Sequence, residues 1–567
     1  MKRTVFKIIG IILTALWGAA MFWSTAFISV YVFIAAAAIC AILFDHSEFK
    51  KHRFLPVFLG IILSGAVILA NYGLFGSIFH NKILIIISAF VAFLGGFAAF
   101  FSITKWVVGI TTTGKGFARK QHRAKAGLFF WIPAAIIAAI DIAVLLLAFY
   151  PGIISPDSVD QMEQIFTGVY SNHHPVVHTM LIKLCIWAGS SIFGTVNAGV
   201  CTYSIFQILI MAVSFAYVIM TLYQMQISFK VIIPFFIAYA LLPYNIFYSF
   251  TMWKDVLFGA AVAAFLTALL RIIRRVGKGD AANTIVLAVS SAGVCLLRSN
   301  GWMAFAVTLV IGIFVLGRKH IKSIIIMAVV FIAAMAVRGP LFNALGIAKP
   351  DILESLAIPM QQIARVLSNG EEITDQQRET LSQIADPDMI AEKYRWDTVD
   401  TFKNDIRYTG DVGYIEEHKK ELLMLYLEMA KQHPVTFVEA WIDQTKGYWN
   451  GGYEFWNWTI VNENRFGVVR VTNDPKTAQL AIAYADSFNR IYPLQLLISI
   501  GLCTWTMVIL AAGGIAGRRK ETLLAVPGIV LVLTLMIATP ISCEFRYAYS
   551  LFTAFPVICC GIMQKRS

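Results

Sequence analysis

The chain is 567 residues long, 58% apolar and only 14% charged, with a mean hydropathy of +0.71, whereas soluble domains are roughly 45–50% apolar and about 25% charged. That composition excludes a purely soluble protein, a disordered chain and a collagen. The eight cysteines lie in or beside apolar runs without metal-ligand spacing, so they read as small buried hydrophobes rather than a disulfide framework.

Apolar runs long enough to cross about 30 Å of hydrocarbon as helices recur along the sequence. They predict spans over 5–23, 25–44, 55–75, 83–102, 127–149, 196–222, 231–250, 256–273, 283–297, 302–316, 323–338, 493–513, 522–540 and 547–563, an all-α polytopic membrane protein with about 14 transmembrane helices. The first span follows Lys2 and Arg3 but lacks a signal-peptidase-like site and is followed at once by a second, so it is kept as an anchor. Every second loop is basic: Lys50, Lys51 and Arg53, then 115–125, then Arg271, Arg274, Arg275 and Lys278, then Arg318, Lys319 and Lys322, then Arg518, Arg519 and Lys520, and finally Lys565 and Arg566. The positive-inside rule makes these loops and both termini cytoplasmic. The net charge of +13 is then mostly topology, and nucleic acid is not an expected partner.

Three regions follow: a transmembrane bundle over 1–338 with an external loop at 150–195, a polar segment over 339–492, and C-terminal transmembrane helices over 493–567. Residues 338–492 carry 16 Lys and Arg against 23 Asp and Glu and no Cys. Span parity puts this acidic, mainly helical domain outside, and about 150 residues suffice for its own core. Its run of Trp441, Tyr448, Trp449, Tyr453, Phe455, Trp456 and Trp458 suits either stacking on sugar rings or docking on the bilayer interface.

The external loop concentrates titratable groups at a membrane edge: Asp157, Asp160 and Glu163, then His173, His174 and His178. Pro151 and Pro156 bar a helix ahead of Asp157, while a helix over 158–166 places its carboxylate at the positive end, a capping position at the least. Asp160 and Glu163 share a face of that helix. The apolar stretch from Val176 to Phe193, interrupted by His178 and Lys183, predicts an amphipathic helix lying in the interface rather than another span.

Cations also fall at the external ends of separate spans: Lys254 in Trp253-Lys254-Asp255, Arg298 before Ser299 and Asn300, Arg338, and Arg546 beside Glu544. The positive-inside rule does not explain them, and ionisable groups at that depth are functional candidates. Taken singly, Lys254 and Asp255 read equally as a local pair and Arg298 as a snorkelling side chain. As a set, with a carboxylate above an apolar belt, they fit the phosphate of a lipid-linked donor. Lys254, Arg298, Arg338 and Arg546 would grip the phosphate, and Asp157 would take the proton of an attacking hydroxyl. Asp160, Glu163, His173, His174, His178, Asn300 and Glu544 are candidates for substrate binding or support. As a base at a wet edge, Asp157 is expected to tolerate Asn without loss of stability. His174 and His178, four residues apart, together with Asp157 suit a divalent metal such as Mg or Mn; the alternative is that His173 and His174 contact acceptor or donor hydroxyls.

The segments Tyr150-Pro-Gly-x-x-Ser-Pro-Asp157-Ser-x-Asp160-Gln and His173-His174-Pro175, set between a span and interfacial helices ahead of a many-span bundle and a late external domain, resemble the GT-C superfold of membrane glycosyltransferases. This group includes the protein O-mannosyltransferase and aminoarabinose transferase branches, and the motif looks closest to an uncharacterised bacterial multipass family related to them. The architectural likeness covers nearly the whole chain; the motif likeness is one loop plus patches around Lys254, Arg298 and Arg546. The superfold's frequent acidic pair is broken here by Ser158, so its catalytic role carries onto Asp157 alone. The resemblance implies an inverting transfer from a polyprenyl-phosphate sugar to a cell-envelope glycan, lipid or protein, with the active site on the outer face of a bacterial cytoplasmic membrane. The alternatives are a polytopic transporter or lipid flippase, and a membrane phosphotransferase or acyltransferase using the same cations.

Overall fold

The computed structural model describes residues 54–78, 80–113, 125–276, 280–452, 456 and 466–564. The expected spans 5–23 and 25–44, the basic groups before residue 54 and within 115–124, Lys278, Lys565 and Arg566, and the aromatics Tyr453, Phe455 and Trp458 lie outside the described residues.

Among the described residues the fold is all-helical, with backbone pairing outside helices limited to isolated bridges. The principal helices are α1 (Phe54–Ala70), α2 (Lys82–Thr113), α3 (Leu128–Ala148), α4 (Pro156–Thr167), α5 (Val176–Phe193), α6 (Val196–Gln224), α7 (Phe229–Leu241), α8 (Pro243–Ser249), α9 (Lys254–Arg274), α10 (Asp280–Leu296), α11 (Gly301–Leu316), α12 (Ile321–Ala336), α13 (Ala357–Ser368), α14 (Pro434–Trp449), α15 (Ile500–Ala516), α16 (Val526–Ala538) and α17 (Phe545–Met563). Side chains such as Phe90, Trp131, Phe314, Ile332 and Ile537 are 60–82% exposed. Water does not tolerate so much outward apolar surface; lipid does.

By length and hydropathy, 8 helices can cross a membrane, or 9 if α7 and α8, bent by 47° across their break, form one span. Twelve of the 14 expected spans fall among the described residues, so the number there is corrected downward. Helices α1, α10, α11 and α15 coincide with expected spans, but their apolar helical stretches are only 10–17 residues long. The window from 493 takes in a separate short helix and a 3-10 turn ahead of α15, whereas the window 302–316 coincides with α11, which is simply short and ends at Gly317. Helix α5, expected in the interface, meets the length and hydropathy of a span. It packs on the first turns of α6, where Gly189 lies against Ala198 and Gly199 and His178 bonds Tyr203, and on α4, where Gln161 bonds His178 and Thr179.

The most enclosed candidate span is α9, packed on by α6, α10 and α17, which explains why it is apolar all round. At one end of the bundle, basic side chains serve helix C-termini. Arg519 donates to Thr111 O at the end of α2, and Arg274 donates to the carbonyls of Gly561 and Gln564 while pairing with Glu521 at 2.5 Å. Cations there complement the negative helix ends.

At the opposite end sits the 339–492 segment, with small apolar cores around Leu353, Val399 and Phe402 and around Val366, Met429 and Phe437. Its α14 packs on α1, α15 and α16 and grips the 536–544 segment. Trp441 donates to Met536 O, Gln444 to Pro540 O, and Tyr448 OH donates to Ile541 O while accepting the Glu544 N–H. Tyr448 and Trp456 are fully buried and Trp449 nearly so. The described aromatics of this run therefore seat the segment on the bundle, which corrects both the sugar-stacking and the bilayer-docking expectation for them. Gly447 is required by this contact, because a Cβ there would overlap Ser542 O and Cys543. Gly447→Leu is expected to cost about 1–3 kcal/mol by overpacking, seen as a lower unfolding midpoint and faster proteolysis between 339 and 492.

Candidate functional site

Local sequence brings a carboxylate and two cations to one point. Ser155 caps α4 in a capping box, its Oγ accepting from the Ser158 N–H and the Ser158 Oγ accepting from the Ser155 N–H, with Pro156 at the first helical position. Asp157 is thus not the cap, which corrects the sequence expectation; it stands one residue into the helix with its carboxylate free for other partners. The loop ahead of α4 pairs with the loop ahead of α9: Ile153 N–H donates to Phe250 O, Met252 N–H to Ile153 O, and Ser158 Oγ to Met252 O at 2.7 Å. The Trp253 indole donates to Ser155 Oγ. These bonds set Lys254, the first residue of α9, beside Asp157. Arg546 arrives on the second residue of α17, whose Phe545 is buried against the rings of Tyr244 and Tyr248.

Asp157 Oδ2 accepts from Lys254 Nζ at 2.6 Å and from Arg546 Nη1 at 3.0 Å, with His174 Nδ1 at 3.9 Å. Oδ1 has no hydrogen-bond partner among the described residues, and the side chain is 20% exposed. Burial acts to raise the Asp157 pKa, but Lys254, Arg546 and His174 together hold it well below the usual carboxylate range. Lys254 Nζ also donates to His174 Nδ1 at 3.1 Å, and with its proton on Nε2 the same imidazole reaches Asp160 Oδ2 at 3.4 Å. Arg546 lies over the rings of Trp253 and Tyr547 at 5.0 and 5.2 Å. Its Nε is 3.5 Å from Glu544 Oε1. Burial, with Asp255 and Asp157 nearby, pushes the Glu544 carboxyl up against the opposing pull of Arg546.

The remaining candidates divide. Arg298 and Asp255 form a buried pair at 3.0 Å, and Arg298 also donates to Tyr547 O, its guanidinium over the Tyr547 ring at 4.9 Å. Lys254 and Asp255 are therefore not a local pair; each has a partner on another element. His173 stacks edge-on against His174 at 4.6 Å, and burial, with His174 beside it, lowers its pKa against the opposing pull of Glu354. It lies where the 168–175 loop meets the 339–492 segment, Asn172 N–H donating to Ala348 O and Ala348 N–H to Tyr170 O. Glu163 is on the exposed face of α4. Asn300 donates to Thr534, and Arg338 to the carbonyls of Cys295 and Ser299, both away from Asp157. Both ring nitrogens of His178 are engaged, by Gln161 at 3.0 Å and Tyr203 at 2.7 Å.

That engagement removes His178 from the expected metal set, and among the described residues no three His, Cys, Asp or Glu side chains are arranged to hold a metal ion. Sequence reasoning does not reach Ser155, Trp253 as an indole donor, or Tyr547 as the ring shared by two guanidinium groups. The available signal is the aromatic residue adjoining each cation in Trp253-Lys254 and Arg546-Tyr547.

Asp157→Asn removes the one anion that two partly buried cations share, so stability should fall by an amount on the order of 2 kcal/mol, contrary to the neutral effect expected from sequence. With the folded pKa below its unfolded value of about 3.9, the Asp157 contribution is present above that value and lost as pH falls through the depressed one. Unfolding midpoints of wild type and Asp157→Asn should differ by a constant amount from about pH 8 to about pH 5 and converge only below about pH 4.

No curated protein and no solved structure matches the chain. A family model, described as a family of unknown function (DUF6020), matches residues 166–567 and so takes in His174, Lys254, Arg298 and Arg546, while Asp157 and Asp160 lie ahead of the matched region. With well over half its length matched, this multipass helical membrane protein belongs to the DUF6020 family.

Proposed function

We propose that the protein is a GT-C-type membrane glycosyltransferase that moves a sugar from a polyprenyl-phosphate donor to an acceptor hydroxyl on the outer face of the membrane. The observation that carries this reading is the convergence of Lys254 and Arg546 on one carboxylate at the end of the bundle. The acceptor hydroxyl gives its proton to Asp157 Oδ1, the oxygen the cations leave free, and its oxygen bonds the anomeric carbon with inversion. The carbon–oxygen bond to phosphate breaks, and the phosphate leaves with the electron pair. Lys254 and Arg546 stabilise the charge that develops on it. Arg298 supports Arg546 through Tyr547 and Asp255 rather than gripping phosphate, and Arg338 has no part in the donor site. No step needs a metal, in keeping with the engagement of His178.

A transporter or flippase reading has one observation in its favour. Asp141 is a buried carboxyl on α3, which packs against α8, the second half of the broken α7–α8 pair, an arrangement suited to ion or solute passage. Mass spectrometry of lipids copurifying with the protein separates the two: a bound polyprenyl-phosphate sugar and a covalently glycosylated product support transfer, and movement of an unmodified solute sinks it.

With that donor in hand, Asp157→Asn should reduce turnover by roughly 10²–10⁴-fold. Arg546→Ala should raise the donor KM, while Arg338→Ala should change neither constant; a large KM effect at Arg338 would return it to the donor site.

A further inference from the structure

Lys254 and Arg546 stand at or next to the first residues of α9 and α17, where the positive helix ends disfavour cations. Each is stabilised there by the same acceptor atom, Asp157 Oδ2, at 2.6 and 3.0 Å. A phosphate oxygen bound by both cations would have to occupy the place that Oδ2 now holds. Lys254 has a second acceptor, His174 Nδ1 at 3.1 Å, and His174 is 3% exposed with its ring turned by Asp160 at 3.4 Å. Arg546 has second contacts too, the Trp253 and Tyr547 rings and Glu544. Both cations therefore keep a partner when the carboxylate lets go.

We infer that Asp157 is the resident counter-ion of an anion site, displaced by the ligand's phosphate oxygen, and that His174, oriented by Asp160, is the positioning residue that keeps Lys254 in place during the exchange. The inference rests on the donor reading above and adds an order of events. The carboxylate occupies the site first, the phosphate takes over its cations, and the freed carboxylate, relieved of two positive neighbours, becomes the stronger base that proton removal from the acceptor requires. The exchange also explains how one residue serves as base and yet is held by cations that weaken its basicity.

The test uses the full chain in phosphatidylcholine nanodiscs, with a long-chain polyprenyl monophosphate as probe and native mass spectrometry for Kd. Asp157→Asn removes the competing anion while keeping the side-chain shape, so it should bind the probe about tenfold more tightly than wild type, and the probe should restore the unfolding midpoint that the substitution lowers. His174→Ala should weaken binding in both backgrounds, and His174→Asn, whose amide oxygen stands near the place of Nδ1, should recover most of it. Equal or weaker binding by folded Asp157→Asn, with wild type binding, overturns the counter-ion exchange and leaves the donor reading standing. An unchanged Kd for folded His174→Ala overturns its positioning role. Absence of binding by both folded wild type and Asp157→Asn sinks the donor reading and the inference with it. Inorganic phosphate is run alongside. A response to it equal to that of the lipid assigns the site to free phosphate, which upholds the exchange and overturns the lipid donor.

Discussion

Two cations held at the positive ends of helices are electrostatically misplaced unless an anion shares the space, and this constraint organises the site. Asp157 supplies the anion, and nearly everything nearby serves its position. The Ser155–Ser158 box frees its carboxylate from capping; the paired loops at 150–153 and 250–252 set α4 against α9; the Trp253 indole ties the start of α9 back to Ser155. The aromatic faces of Trp253 and Tyr547 hold the Arg546 guanidinium without adding charge, while Glu544 stands 3.5 Å from its Nε.

The buried Asp255–Arg298 pair plays a different part. It is self-neutralising, and its guanidinium also spans to the backbone of α17. Such a pair adds little to net stability, but it joins α9, the α10–α11 turn and α17 at the level of the site. Cations that look equivalent in sequence thus separate into two that share one carboxylate and one that braces them.

Much of this is legible in the sequence, and the gaps have physical causes. Apolar run length located the helices, and unusual cations at outer span ends pointed to Lys254 and Arg546, because charge at a membrane edge is costly enough to be rare. Arg338 shared that signature and yet is spent on carbonyls of the α10–α11 turn; whether a side chain faces the cavity or a neighbouring helix end depends on helix rotation, which a list of outer-end cations does not contain. His178 failed as a ligand for a similar reason, since its partner Tyr203 lies on another helix. The aromatic run of α14 was visible as a patch, but its destination was not: only the close approach allowed by Gly447 shows that Tyr448 faces protein and neither sugar nor lipid.

The seat of the acidic segment has a mechanical consequence. Its Tyr448, Gln444, Asp397 and Val399 all hold the short strap from Thr539 to Glu544 through backbone bonds, and that strap ends two residues before Arg546. A tilt of the 339–492 segment cannot leave the guanidinium where it stands, so the seat of that segment and the grip on Asp157 are mechanically tied.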